Sequence, residues 1–174
     1  MKIVLVSNTY TPHVGGVARS VAAFREEYRR AGHRVLVVAP EFPGQPAREE
    51  DVVRIRAIQN FNASDFSVAL PLPSGLRASL EAFGPDVIHS QHPFLLGMTA
   101  FRAARSLQRP LVFTHHTLYE QYTHYVPVDS PALKRFVIEL ATCYGNLCDL
   151  VLAPSESIRD LLLERGVETP VEVI

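Results

Sequence analysis

The sequence has no excess of charge of either sign: seventeen basic and eighteen acidic residues leave a net charge of −1. A nucleic-acid module ordinarily carries a clear basic excess, so this balance argues against one. Lysine is scarce, with Lys2 and Lys134 alone among many arginines, which reads as composition bias. Long apolar runs are missing as well. The first run, KIVLV, spans residues 2–6, whereas a signal-peptide core needs roughly 7–15 apolar residues and a membrane-spanning helix about 20. The expected location is therefore cytoplasmic. Cysteine is limited to Cys143 and Cys148. Their spacing within one expected helix puts them on different faces, which predicts buried free thiols and neither a disulfide nor a zinc site. The sequon Asn62-Ala63-Ser64 carries little meaning without a secretory signal.

What is present suits one globular domain: 174 residues, 47% of them hydrophobic. Short apolar runs alternate with helical patterns. KIVLV (2–6), RVLVVAP (34–40), DVVRIR (51–56), DVIHS (86–90), PLVFTH (110–115) and DLVLAP (149–154) read as strands, and VEVI (171–174) begins another. Runs apolar at nearly every position fit strands buried on both faces of a parallel sheet. Between them, Val17, Val21, Phe24, Tyr28 and Ala31 recur every three or four residues as one helical stripe, and Gly32 supplies a left-handed stop. Asp129 or Ser130 caps a helix with Pro131 in its first turn, while Ser155 caps ESIRDLLLER and Gly166 ends it. Repeated strand–helix order predicts an α/β fold, a doubly wound, mostly parallel, Rossmann-like sheet. Residues 57–75 break the rhythm, and a connection of that length is usually functional or mobile.

In an open parallel sheet, ligands bind where strands end and helices begin. After the first strand, Pro12 and the Gly15-Gly16 pair predict a turn, and Val17 starts a helix whose free N–H groups can hold a phosphate. The spacing is not G-x-G-x-x-G, which removes most of the case for NAD. The fourth strand is followed by His89, Gln91 and His92, and the fifth by THHTLYEQYTHY (114–125). Five of the seven histidines (His89, His92, His115, His116 and His124) thus fall at two neighbouring strand ends, where the fold is expected to bring them onto one rim. Metal binding is disfavoured: adjacent His115 and His116 point to opposite sides of a continuing pleat, and no H-E-x-x-H or acidic cluster accompanies them. No metal is expected.

Taken together, MKIVLVSNTYTPHVGGVARSV, GHRVLVVAP, PDVIHSQHPFLLG and APSESIRDLLLERG are similar, in collinear order, to the N-terminal domain of family 4 retaining glycosyltransferases of the GT-B fold. HTLYEQYTHY (116–125) is similar in particular to the branch that glucosylates diacylglycerol. The resemblance implies a nucleotide-sugar donor such as UDP-hexose or GDP-mannose, no cofactor or catalytic metal, and hexose transfer to a lipid hydroxyl. It matches Gly15, Gly16 and Val17 to the loop against the donor diphosphate and the acceptor. His116 matches the histidine that reaches the transferred sugar. Tyr119, Glu120 and His124 match positions of the lipid branch, assigned with Gln91 and His92 to acceptor binding or loop shape. It also implies a second, donor-binding domain of the same polypeptide, since no Glu-x7-Glu motif in that setting occurs here. On its own, residues 1–174 should hold little or no transferase activity. Arg102, Arg105, Arg109, Lys134 and Arg135 suggest peripheral contact with an anionic membrane face or simply a solvated basic face. The stretch FSVALPLP (66–73) either lines an acyl groove or covers the sheet. Two rivals stand beside this reading: a non-catalytic flavodoxin-like binding module, and a metal-dependent hydrolase built on the histidine rim.

Overall fold

Strands apolar at every position need cover on both sides, and the chain provides it. The structure, a computed structural model, describes residues 1–58, 67–69, 75–121 and 130–174. β1 (Lys2–Val6), β2 (Arg34–Pro40), β3 (Val52–Ile55), β6 (Val87–Ser90), β7 (Leu111–Thr114), β8 (Leu150–Ala153) and β9 (Val171–Val173) form one sheet in the order β3-β2-β1-β6-β7-β8-β9. Every pairing in it is parallel, from Val4 beside Leu36 to Leu152 beside Glu172. The order reverses between β1 and β6, which is where a doubly wound sheet opens a crevice. β4 (Ala57–Ile58) and β5 (Val68–Ala69) form a separate antiparallel pair. The irregular connection expected at 57–75 thus contains a small ribbon, and residues 59–66 and 70–74 lie outside the described residues.

The two-residue period of the strands sorts their side chains into two cores. Ile3, Leu5, Val35 and Val37 face α1 (Gly16–Arg30), where Val21 is fully buried and Phe24 and Tyr28 pack alongside. Val4, Val6, Leu36 and Val38 belong to the larger core. That core takes in Leu80 of α2 (Leu76–Phe83), Leu96 and Ala100 of α3 (Leu96–Leu107), Tyr144 of α4 (Pro131–Asn146) and Leu162 of α5 (Glu156–Glu164).

The expected helix signals act as written. Gly32 and Gly166 hold φ values of 80° and 92°, a region that costs an L side chain about 1–2 kcal/mol. Ser130 Oγ accepts from the Leu133 N–H at 3.2 Å with Pro131 at the first helical position, and Ser155 Oγ accepts from the Ile158 N–H at 3.3 Å. One expectation is corrected. α4 ends at Asn146, so the cysteines do not share a helix; Cys143 is exposed and only Cys148 is buried. Burial pushes the Cys148 thiol up to about 12. Among the described residues, no helix is long and apolar enough to cross a membrane.

Candidate active site at the carboxyl edge of the sheet

The loop after β1 is tied down by side chains from distant segments. Asn8 reaches across to the loop after β6: its Nδ2 donates to Phe94 O at 3.0 Å, and its Oδ1 accepts from the Leu96 N–H at 3.0 Å. Its backbone N–H donates to His92 Nδ1 at 3.2 Å. From β3, Arg54 pairs with Glu49 and donates through Nη1 to Pro40 O and through Nη2 to Thr11 O. The turn falls at Thr11–His13, closed by the His13 N–H on Tyr10 O at 3.1 Å.

The glycine pair expected to make this turn does something else. Gly15 is the extended residue before α1 (φ −166°, ψ 164°), a conformation open to any residue, and Gly16 opens the helix. A Cβ on Gly16 would meet nothing within 4 Å, so the protein itself does not require a glycine there. Among the described residues no side chain caps α1, and its first turn holds no acidic residue. Its terminal N–H groups and positive dipole end are therefore left to water or a ligand.

The histidines separate into two sets. His89 lies within β6 and turns to the α1 side, with Nε2 2.7 Å from Thr114 Oγ1 and the ring edge-on to Phe24 at 5.1 Å. His115 packs edge-on to Phe113 and Tyr119. Both are 2% exposed, which corrects the expectation that all five strand-end histidines share one rim. They instead fill gaps in the core. Among the described residues, the rim holds His92, His116 and a third histidine not anticipated from the sequence, His13, which stacks on Phe42 at 5.3 Å. His124, with Tyr122 and Tyr125, lies outside the described residues.

A cleft of about 780 Å³ opens between these loops. Asn8, Thr9, Gly15, Gly16, Val17 and Ser20 line it from the β1–α1 side. His92, His116, Thr117 and Tyr119 line it from the β6 and β7 ends, and Phe94, Leu95, Leu133 and Val137 make an apolar wall. The structure therefore gathers six sequence-predicted residues into one place: Gly15, Gly16, Val17, His92, His116 and Tyr119. Two others sit elsewhere. Glu120 bonds Arg165 at the end of α5 at 2.6 Å, which ties the 115–121 segment to that helix. Gln91 has no exposed surface and lies behind the His116 ring, with its Oε1 2.7 Å from His116 Nε2.

The electrostatics of the cleft favour uncharged rings. Burial first, and the charge of His116 second, lower His89 and His92 to about 3. Burial, then His115, lowers His116 to about 4; burial, then Arg165, lowers His115 to about 4. Removing an imidazolium from water is costly, so all four rings stay neutral near pH 7. His92 Nδ1 accepts from Asn8, so its proton sits on Nε2. Burial likewise raises the Tyr119 phenol far above its ordinary range, opposed in part by the His116 backbone. Those residues contain no group of three or more histidine, cysteine or acidic side chains placed to hold a metal ion.

Asn8, Thr9, His13 and Leu95 were absent from the sequence-based site. His13 had a signal, its place two residues before the glycine pair. Asn8 had none, because its partners lie 84–88 positions away.

Residues 14–174 match the family model Glycosyltransferase Family 4. An alpha-monoglucosyldiacylglycerol synthase of Streptococcus pneumoniae is 31% identical over all of this chain and 40% of its own length. A GDP-mannose-dependent alpha-mannosyltransferase of Corynebacterium glutamicum is 30% identical over 96% of this chain and 41% of its own. The chain thus spans about two fifths of the length of these relatives. Among solved structures, sucrose-phosphate synthase of Thermosynechococcus elongatus superposes with a TM-score of 0.61 at 14% identity over all of this chain and 88% of that one. UDP-GlcNAc 2-epimerase of Methanocaldococcus jannaschii gives 0.60 at 12% over all of this chain and 45% of that one, a likeness of fold alone.

Proposed function

Because the chain belongs to glycosyltransferase family 4, we propose that it is the acceptor-side half of a nucleotide-sugar-dependent retaining transferase that passes a hexose to a lipid hydroxyl. The observation carrying this reading is the meeting, in one cleft, of an uncapped helix start, two neutral imidazoles and an apolar wall. Each suits one part of the chemistry.

In the transfer, the bond from the anomeric carbon to the diphosphate breaks and one to the acceptor oxygen forms. Negative charge collects on the departing diphosphate while the sugar ring becomes electron-poor. The N–H groups at Gly16 and Val17 suit the first change, with each helix-end interaction contributing about 0.3–1 kcal/mol, rising to ~2 where partly buried. Gly16, lacking Cβ, lets the diphosphate approach the backbone. His116 suits the second. A neutral ring can hydrogen-bond the substrate without setting a positive charge beside the electron-poor sugar. Phe94, Leu95, Leu133 and Val137 suit an apolar acceptor, and the exposed Phe136 and Leu140 extend that surface along α4. Tyr119 and His92 stand at the acceptor side in this reading. Glu120 shapes the loop through Arg165, and the role of His124 rests on the family motif alone.

The names of the relatives support both a lipid acceptor and a sugar-nucleotide donor. Their greater length supports a further donor-binding domain in the same polypeptide. The basic residues Arg102, Arg105, Arg109, Lys134 and Arg135 would favour peripheral contact with an anionic membrane face. The reading is tested by assaying the intact protein with UDP-glucose and GDP-mannose against diacylglycerol vesicles and against soluble sugars. His116→Ala should lower turnover at least 100-fold with the melting temperature held. Turnover with soluble sugars alone would overturn the lipid acceptor, and unaltered turnover of the variant would remove His116 from the site.

A further inference from the structure

Gln91 occupies a costly position. Burying an amide without full hydrogen bonding is unfavourable, yet its side chain has no exposed surface and its Nε2 has no partner among the described residues. Among the described residues, the single bond its side chain makes is to the imidazole of His116, 2.7 Å from Oε1 to Nε2. A carbonyl oxygen only accepts, so His116 Nε2 donates. A neutral ring protonated at Nε2 has one lone pair left, on Nδ1.

We propose that Gln91 is a positioning residue that fixes His116 in its Nε2–H tautomer, so that Nδ1 remains as the acceptor for a hydroxyl group of the bound sugar. This rests on the proposed transferase reading and adds a polarity to it. The ring takes a hydrogen bond from the substrate and gives none, which favours a sugar hydroxyl at that point over an ether or carbonyl oxygen. Gln91 is itself anchored by strand pairing, since its backbone N–H donates to Val6 O at 2.9 Å. The tautomer is thereby set by the end of β6 and the register of the sheet.

Histidine-selective 15N labelling of the intact protein reads the tautomer of each ring from two-bond proton–nitrogen correlations. Wild-type His116 should show the Nε2–H pattern near pH 7. Gln91→Met should mix the two tautomers and lower kcat on the order of tenfold, with the donor KM changed less than twofold. Gln91→Glu, whose carboxylate also only accepts, should retain the Nε2–H pattern. A wild-type Nδ1–H pattern would overturn the proposal, and this measurement decides the matter even where Gln91→Met does not fold. Unchanged tautomer and kcat in a folded Gln91→Met would overturn it too. If His116→Ala abolishes turnover while Gln91→Met leaves both the tautomer and kcat unchanged, only the role of Gln91 fails. If His116→Ala leaves turnover intact, the functional reading beneath it fails.

Discussion

Two glycines stand at the starts of helices flanking the cleft, and they are glycine for opposite reasons. At Gly97, in the first turn of α3, an added Cβ would lie 2.0 Å from His92 O and 2.9 Å from its carbonyl carbon. At Gly16, in the first turn of α1, it would meet nothing within 4 Å. Neither residue has a positive φ. Gly97 is therefore a packing residue: its absent side chain lets the His92 carbonyl sit on the helix, where Ser90 Oγ donates to His92 O at 2.8 Å and Tyr144 Oη to Gly97 O at 2.9 Å. Gly16 leaves a space that the fold does not use. A loop built to receive something can keep its glycine facing emptiness, whereas a loop built to hold its shape fills that space with backbone.

Acid should break both loops together, and this is the largest effect expected. The seam between them is the Asn8 N–H donated to His92 Nδ1. The folded state holds His89 and His92 at about 3 and His115 and His116 at about 4, against an ordinary 6.5. Because the folded values are lowered, the unfolded chain binds more protons between these limits. This contribution to stability is complete above pH 6.5 and is lost progressively as pH falls to about 4 and then about 3. Denaturant unfolding between pH 7 and 5 should show uptake approaching four protons, a loss of several kcal/mol shared nearly equally among the four rings, because every folded value lies below 5. A flat profile across that range would mean that the histidines are open to water and the cleft floor is not as described.

Next in size, Gly97→Ala should cost about 3 kcal/mol or more, since a backbone carbonyl cannot swing aside as a flexible side chain can. The variant should melt well below wild type and lose the β6–α3 loop geometry. Gly16→Ala gives the contrasting result. Its melting temperature should equal or slightly exceed wild type, because alanine is the better helix former. In the intact protein, kcat/KM for the nucleotide-sugar should nonetheless fall roughly 10- to 100-fold as the Cβ takes up ligand space. Equal activity would show that nothing approaches that backbone.

This contrast also marks what the sequence could disclose. The seven main strands were legible because apolar runs are local and their covering helices follow within a turn or two. Gly15, Gly16 and His116 could be placed at the carboxyl edge because each lies in a loop that follows a strand. Gly97 was not recognised as a packing residue, because the carbonyl it would meet belongs to a loop folded back by the Asn8 bonds. His89 was misplaced for a related reason. Strand-end position gives its height along the sheet, but the pleat decides which face it takes, and that face looks into the α1 core. The antiparallel pairing of Ala57–Ile58 with Val68–Ala69 was likewise hidden, since two-residue strands leave no period to detect.

The smallest expected effect concerns a helix start that is closed. α5 also begins at the carboxyl edge of the sheet, but Ser155 caps it through the Ile158 N–H, and Glu156 stands in its first turn. Its donors and dipole are answered within the protein, and it borders no part of the cleft. Ser155→Ala should therefore cost about 1 kcal/mol of stability through the lost cap and leave kcat and KM unaltered. The reverse exchange belongs to α1. Gly15→Ser would supply the missing cap, with its Cβ only 3.2 Å from His13 Nε2, a side-chain atom on the rim. It should raise or hold the melting temperature while weakening donor binding, because the hydroxyl then competes for the N–H groups that the proposed function assigns to the diphosphate. A stabilised Gly15→Ser with undiminished donor affinity would mean that α1 is open by accident. A stabilised variant that binds donor poorly would show that the missing cap is part of the site.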